Sequence, residues 1–385
     1  MKVLRLLVML WSLALAACAT APAPGPVHQP AVVAFERGGQ GHIIIPVVVQ
    51  GEDGFAILDN GASTSVIDRD FATEKDLVHG AFARTFIKTV TSGYELGQDA
   101  VLNVGGIEET VTPLLLDMAP MSIAAGKPVL AIVGEEFFER HVVEVDFTKK
   151  TMTLHDRRTF VAPTDLPAIP LKSARTAKTR IPAMIEDEAD HEVTFDLGSS
   201  SLAMIDEGKI SERWLAEGRP WTMSSSGIVQ RGAMQRSDGH MMTAREITFA
   251  GFRLGDIPVE VMPKGFVSPA DVSIGVNALS HFDLIFDVGG KRMWMRPNAS
   301  YGAEFRHRLI GVAWRTPVKP GALEVNSVQT NSPAEKAGLK RGDVIVRVNG
   351  AEAVEGAFVA LKEGETADLE LKDGTMRKLT AGRYY

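Results

Sequence analysis

The sequence predicts a mainly β protein built from two similar lobes and a small C-terminal domain. Three observations carry this expectation. Short runs rich in Val, Ile, Phe and Thr are punctuated by Gly and Pro along most of the chain, which is the composition of strands and turns. One series of landmarks occurs twice in the same order. Beyond Arg308 the pattern changes to a capped helix start followed by an alternating apolar and polar run.

The first segment reads as an export signal. Lys2 and Arg5 precede an almost wholly apolar stretch from Leu6 to Leu15, and Leu15-Ala16-Ala17-Cys18 follows. That order is the order of a secretory leader. The last four residues resemble the lipobox of bacterial lipoproteins. Cys18 is the one cysteine of the chain, so it has no internal disulfide partner, and lipid attachment is the role the pattern suggests. Ala19 follows where an Asp would retain such a protein at the inner membrane, so the resemblance implies the periplasm and an outer-membrane anchor. Several acyl chains anchor stably where one does not. Residues 1–18 are thus expected to be the signal and lipidation site, and the Pro-rich residues 19–32 an extended tether. No later apolar run reaches the ~18 residues needed to span a bilayer.

Net charge is −7, and removing residues 1–17 takes away Lys2 and Arg5 and no acid, giving −9. No long basic run is present, which argues against nucleic-acid binding.

Residues 33–156 and 157–300 are expected to form the two lobes. Ile45-Pro46-Val47 aligns with Ile181-Pro182-Ala183, and Gly106 and Pro113 with Gly251 and Pro258. Ile132-Val133-Gly134 matches Ser273-Ile274-Gly275, and Val145-Asp146 matches Phe286-Asp287. Collinearity of such matches indicates a duplicated unit. Helices are expected near 69–77 and 207–217, with short turns after Gly134 and Gly275. Pro163, Pro167 and Pro170 mark the link between lobes.

The chemistry lies in the repeat. Phe55-Ala56-Ile57-Leu58 runs into Asp59-Asn60-Gly61-Ala62-Ser63, and Val193-Thr194-Phe195 into Asp196-Leu197-Gly198-Ser199-Ser200. Two such half-sites suggest a two-fold site with facing carboxylates, the arrangement that activates a water by acid-base chemistry. Gly61 and Gly198 let the backbone pass close to the carboxylates. Asp146 and Asp287 are also matched, but nearby Lys149, Lys150, Lys291 and Arg292 read as strand-end ion pairs.

Residues 305–385 form the last domain. Leu309-Ile310-Gly311-Val312 opens a strand, Ser332-Pro333-Ala334-Glu335 starts a helix as a capping box with Pro at its first position. Asp343 to Val348 alternates, and Asn349-Gly350 is a tight turn.

The paired Asp-x-Gly motifs, each followed about 75 residues later by an apolar pair or Ser-Ile before Gly, resemble the aspartic proteases, most closely the bacterial retropepsin-like group. The segment from Ser332 to Ile345 resembles the centre of a PDZ domain. Together the resemblances imply a bilobal β-barrel pair plus a small PDZ domain. They imply Asp59 and Asp196 as the catalytic pair, one acting as base and one as acid on a shared water, with no metal and no organic cofactor. In that family a hydroxyl follows each Asp and braces the opposite lobe. Here Asn60 can still donate from its amide, and Leu197 has no hydrogen-bonding side chain. Ser199 is placed to hydrogen-bond Asp196, and Ala62 has no such group for Asp59. A substrate flap is implied at Gly93 and Tyr94, and a second at Ser224-Ser225-Ser226-Gly227. In the PDZ domain, Leu309, Ile310, Gly311 and Val312 resemble the loop that binds a peptide C-terminus, with Arg308 as a carboxylate partner. The implied partners are an extended polypeptide substrate in the cleft, a peptide C-terminus at the PDZ and a membrane through the lipid. The rival expectation is a non-enzymatic peptide-binding lipoprotein that keeps the fold without the chemistry.

Other chemistries lack their signatures. The His residues are scattered without a His-Glu-x-x-His pattern, and there is no cysteine pair for zinc. No Gly-x-Ser-x-Gly elbow occurs. Gly39-Gln40-Gly41 lacks the third glycine of a nucleotide loop.

Overall fold

A computed structural model describes residues 27–80, 95–172, 180–230, 233–267, 270–315 and 321–385. Strands dominate, and the helices are short. No described helix is long and apolar enough to cross a membrane. The expected lipidation site Cys18 and the flap residues Gly93 and Tyr94 lie outside the described residues.

The first lobe is a sheet ordered Ile107–Val111, Ala100–Val104, Ile43–Val49, Glu52–Leu58, Val129–Val133, Val66–Asp68 and Leu114–Leu116, with Glu36–Arg37 beside Ile43–Val49. Strand alternation sorts its side chains between two faces. Ile43, Ile45, Val47 and Val49 enter the main core. Ile44, Ile57, Val66 and Ile132 form a second apolar layer with Met118 on the opposite face. The helix Ala119–Ala125 follows Met118, starts with Pro120 in its first turn and ends on Gly126, which takes the left-handed conformation at φ 68°.

The second lobe repeats this pattern and goes further. Its order is Arg180–Ile185, Glu188–Asp196, Val272–Gly275, Ala203–Asp206, Phe252–Met262, Ala233–Phe249 and Thr222–Gln230. Arg180–Ile185 also pairs with Ala233–Phe249, Ala183 opposite Phe249, which closes the sheet into a barrel. Among the described residues the first lobe stays open, so the pair is one barrel and one half-barrel. The expected helices are present as Arg69–Glu74, capped by Asp68, and Lys209–Ala216. Short helices Glu135–Arg140 and Val276–Leu279 follow Gly134 and Gly275.

The lobes share a third sheet. Its order is Ala31–Ala34, Thr151–Asp156, His141–Asp146, Phe282–Asp287, Arg292–Pro297 and Ile169–Pro170. Val143 lies opposite Phe286 and Val145 opposite Leu284, so matched strands of the two repeats pair antiparallel. One buried cluster runs through both lobes, which fixes their mutual placement. Asp287 is 1 % exposed. It accepts from Arg157 Nε, Arg292 Nε and the Gly290 N–H at 2.9–3.0 Å. Asp146 accepts from the Lys149 N–H and Nζ at 2.7 Å. Both matched acids do structural duty.

The last sheet is ordered Val312–Trp314, Leu323–Val328, Val344–Val348, Thr366–Leu371 and Met376–Thr380. It encloses a separate core of Leu323, Val325, Ile345, Leu369 and Leu379 among others. Ser332 caps the helix Pro333–Lys336 by accepting from the Glu335 N–H at 3.2 Å. The returning arm of the cap is displaced by one residue, Glu335 accepting from the Asn331 N–H at 2.7 Å. Asn349 and Gly350 both have positive φ, 52° and 78°, as a type I′ hairpin turn requires.

Candidate active site

The two Asp motifs meet. Each apolar strand delivers its acid beside a parallel neighbour: Leu58 pairs with Val133, and Asp196 with Gly275. The Asp59 N–H donates to the Val133 carbonyl at 3.0 Å. The turn after each acid then folds its N–H groups back onto the carboxylate. Asp59 Oδ1 accepts from Gly61 at 2.7 Å and Ala62 at 3.1 Å, and Asp196 Oδ1 accepts from Gly198 at 3.0 Å.

The glycines show how close the loops come. A Cβ on Gly61 would lie 2.7–2.9 Å from the three carboxylate atoms of Asp196. A Cβ on Gly198 would lie 2.1–2.4 Å from those of Asp59. Each glycine therefore packs against the opposite carboxylate, a reciprocal contact that brings the two acid loops together.

Asn60 locks this arrangement. It is 1 % exposed. Its Nδ2 donates to the Phe195 carbonyl at 2.8 Å, and its Oδ1 accepts from the Leu197 N–H at 2.8 Å. A carboxamide carries both donor and acceptor, so one side chain satisfies two buried backbone groups flanking Asp196. Leu197 is fully buried in the main apolar core. The side-chain brace between the loops thus runs from the first lobe to the second. Ser199 Oγ accepts from the Ser201 N–H at 3.4 Å, so the hydroxyl expected on Asp196 serves its own turn instead.

Sequence reasoning missed three neighbours. His42 Nε2 lies 3.0 Å from the Gly198 carbonyl oxygen. Burial lowers the His42 imidazole from its ordinary value; the Gly198 bond and the Asp196 charge push it back up, and Arg37 pushes it down. Arg37, also lowered by burial, donates from Nη2 to Asn277 Oδ1 at 2.9 Å. Asn277 Nδ2 donates to the Gln40 carbonyl at 3.1 Å and the Ser200 carbonyl at 2.5 Å. The positional counterpart of Asn277 is Glu136, two residues after Gly134. Glu136 clamps its own lobe, accepting from the Ser65 N–H at 2.8 and 2.9 Å and from Thr64 Oγ1 at 2.5 Å. The legible signals were the place of His42 before an apolar run and of Asn277 two residues after Gly275.

Ser224 lies in a long hairpin, opposite Gly239. Its hydroxyl donates to Glu260 at 3.4 Å, and Ser201 Oγ donates to the same carboxylate at 2.8 Å. Among the described residues the strand Val312–Trp314 is an edge of its sheet. Ile310, Val312 and Trp314 lie half-buried against the domain core, and Trp314 packs on Phe358 at 5.0 Å. Gly311 has φ 74°, and a Cβ there would meet Ser332 at 2.2 Å. The Ala334, Gln329 and Gly382 N–H groups donate to the Ile310, Gly311 and Leu309 carbonyls at 2.9 Å. The same domain grips the base of the long hairpin. Thr222 Oγ1 donates to the Thr330 carbonyl at 2.6 Å, Asn331 Nδ2 to the Trp221 carbonyl at 3.1 Å, and Thr243 Oγ1 to the Tyr385 carbonyl at 3.0 Å. Arg308, expected to meet a peptide carboxylate, donates its N–H to the Tyr385 hydroxyl at 2.8 Å. Among the described residues, no group of three or more His, Cys, Asp or Glu is placed to hold a metal ion.

Residues 324–356 match the PDZ domain family. The C-terminal unit is a PDZ domain. The match begins after Leu309, Ile310 and Gly311, which lead into the edge strand Val312–Trp314, and after Val312, which opens it. PDZ domains are peptide-binding modules that add an extended chain to a sheet edge, so a peptide partner follows for this chain. No curated protein matches the chain.

Proposed function

We propose that this chain is an aspartic endopeptidase of the bacterial envelope, lipid-anchored through Cys18, with Asp59 and Asp196 as its catalytic pair. The observation that carries the reading is the reciprocal packing of Gly61 on Asp196 and Gly198 on Asp59. Two carboxyls brought together in this way share one proton, because a second charge beside the first is costly. The ionised partner takes a proton from a water held between them. The protonated partner donates to the scissile carbonyl oxygen as the water adds. The resulting tetrahedral species collapses when the amine leaves with a proton returned from the pair. The N–H groups of Gly61, Ala62 and Gly198 hold the acids in register through this cycle. The PDZ domain recognises peptide C-termini at Leu309, Ile310, Gly311 and Val312. Its grip on Trp221, Thr222 and Thr243 supports a link between that groove and the hairpin beside the cleft.

A second reading is a peptide-binding adaptor that retains the fold without catalysis. Leu197 favours it, because its buried apolar side chain supplies no brace from the second lobe. Turnover of an unstructured protein substrate separates the two. The wild type is expected to cleave it with or without a chelator. Asp59→Asn and Asp196→Asn are each expected to lose several orders of magnitude, as residues that act as a unit do. Full activity in either variant sinks the mechanism, and an inactive wild type favours the adaptor.

A further inference from the structure

We propose that His42 is a positioning residue for the Asp196 loop, replacing the brace that Leu197 lacks and coupling its own charge to the catalytic pair. The inference rests on the hydrolytic reading of Asp59 and Asp196. It starts from the asymmetry of the braces. Asn60 holds the backbone on either side of Asp196, at Phe195 and Leu197. His42 holds the next point along, the Gly198 carbonyl, at 3.0 Å. Gly198 is the residue whose Cα packs on Asp59 and whose N–H donates to Asp196. A shift of this backbone therefore moves both carboxylates.

The partner fixes the tautomer. A carbonyl only accepts, so His42 Nε2 carries the proton. Protonation adds its hydrogen at Nδ1 and leaves the Nε2 donor in place. The brace is therefore the same in both charge states, while the field at the pair is not. The charged groups acting on the ring are Asp196, from the end of Glu188–Asp196, and Arg37, from Glu36–Arg37. Arg37 is itself held by Asn277 at 2.9 Å. An imidazolium here favours the singly ionised pair, and Arg37 opposes that second positive charge. The coupling is reciprocal: the Asp196 charge favours the imidazolium, as the imidazolium favours the Asp196 charge.

The test uses the full chain in detergent, labelled with 13C-histidine. The His42 signal is assigned by its loss in His42→Gln, and the other eight of the nine histidines report whether the fold is kept. The His42 midpoint is expected to fall by about half a unit or more in Asp196→Asn, because the charge that favours the imidazolium is gone. An unchanged midpoint overturns the coupling. In the pH profile of kcat/KM, His42→Gln is expected to move the acid limb upward by about half a unit or more with KM little changed. A profile that superimposes on the wild type overturns the proposal. His42→Ala removes donor and charge together and is expected to lower kcat about ten- to a hundredfold across the profile. Activity equal to that of His42→Gln overturns the positioning role. A wild type with no hydrolysis at any pH sinks the hydrolase reading by itself, and the NMR arm then decides whether His42 and Asp196 are coupled.

Discussion

Gly198→Ala tests the meeting of the two motifs without requiring activity. The φ of Gly198 lies outside the left-handed region, so alanine carries no backbone penalty there. What opposes it is the Asp59 carboxylate, 2.1–2.4 Å from the new Cβ. Non-bonded heavy atoms settle near 3.5 Å, so the loops must part by roughly 1 Å. Overpacking of this size costs about 1–3 kcal/mol of stability. The same displacement at the reacting groups is expected to lower turnover about a hundredfold. Asp59→Ala removes the three atoms that the Cβ would meet. In that background Gly198→Ala is expected to cost under about 0.5 kcal/mol, leaving a coupling of about 0.5–3 kcal/mol between the positions. Urea unfolding of the wild type, both single variants and the double variant, followed by tryptophan fluorescence, gives the cycle. An equal cost of Gly198→Ala in both backgrounds means that Gly198 does not face Asp59, and the dyad falls with it.

Asn60→Ala leaves the Phe195 carbonyl and the Leu197 N–H without their partner; at about 1–3 kcal/mol for each stranded group, urea unfolding is expected to show a loss of about 2–6 kcal/mol. Leu197→Thr, the change toward a hydroxyl brace, removes a fully buried apolar side chain from the core; it is expected to cost about 2 kcal/mol, and undiminished stability would mean that the hydroxyl finds a cross-lobe partner. An immobilised library of peptides with free C-termini is expected to bind the chain, with amidation abolishing capture; equal capture of both forms removes carboxylate recognition at residues 309–312. Cys18→Ser is expected to release the protein from the membrane fraction or to stop its processing, and wild-type fractionation of the variant would end the lipid-anchor proposal.

Much of the site was legible because its determinants are local. A short apolar run followed by Asp-x-Gly specifies a strand and the turn that folds N–H groups onto its acid. The duplication then says that this happens twice. What was not legible depends on docking. The His42–Gly198 contact joins residues 156 positions apart, and no periodicity near His42 announces it. Ser199 was placed beside Asp196 by sequence proximity, yet its hydroxyl accepts from the Ser201 N–H, and the Gly198 N–H is the donor that meets Asp196 from this turn. The strands Thr222–Gln230 and Ala233–Phe249 of the long hairpin are punctuated by Gly227 and Gly239, which disguise continuous strands as loops. The helix Ala119–Ala125 left a fainter local sign, Pro120 at its start and Gly126 at its end.

The two repeats have divided the work of holding the Asp loops together. At the Asp196 loop the first lobe supplies side chains, Asn60 and His42, and the second lobe supplies backbone, the Phe195 and Gly198 carbonyls and the Leu197 N–H. Backbone groups are present whatever residue stands at those positions. The second lobe can therefore carry an apolar side chain at 197 and place it in the core, gaining burial where a hydroxyl would need a partner. After the two distal glycines the division is reversed. Glu136 is spent on its own turn at Ser65, whereas Asn277 reaches across to Gln40 and Arg37. Loss of symmetry in the motifs is thus not loss of the brace. Asn60 keeps its place in the repeat, and the rest of the brace has moved to His42 and Arg37.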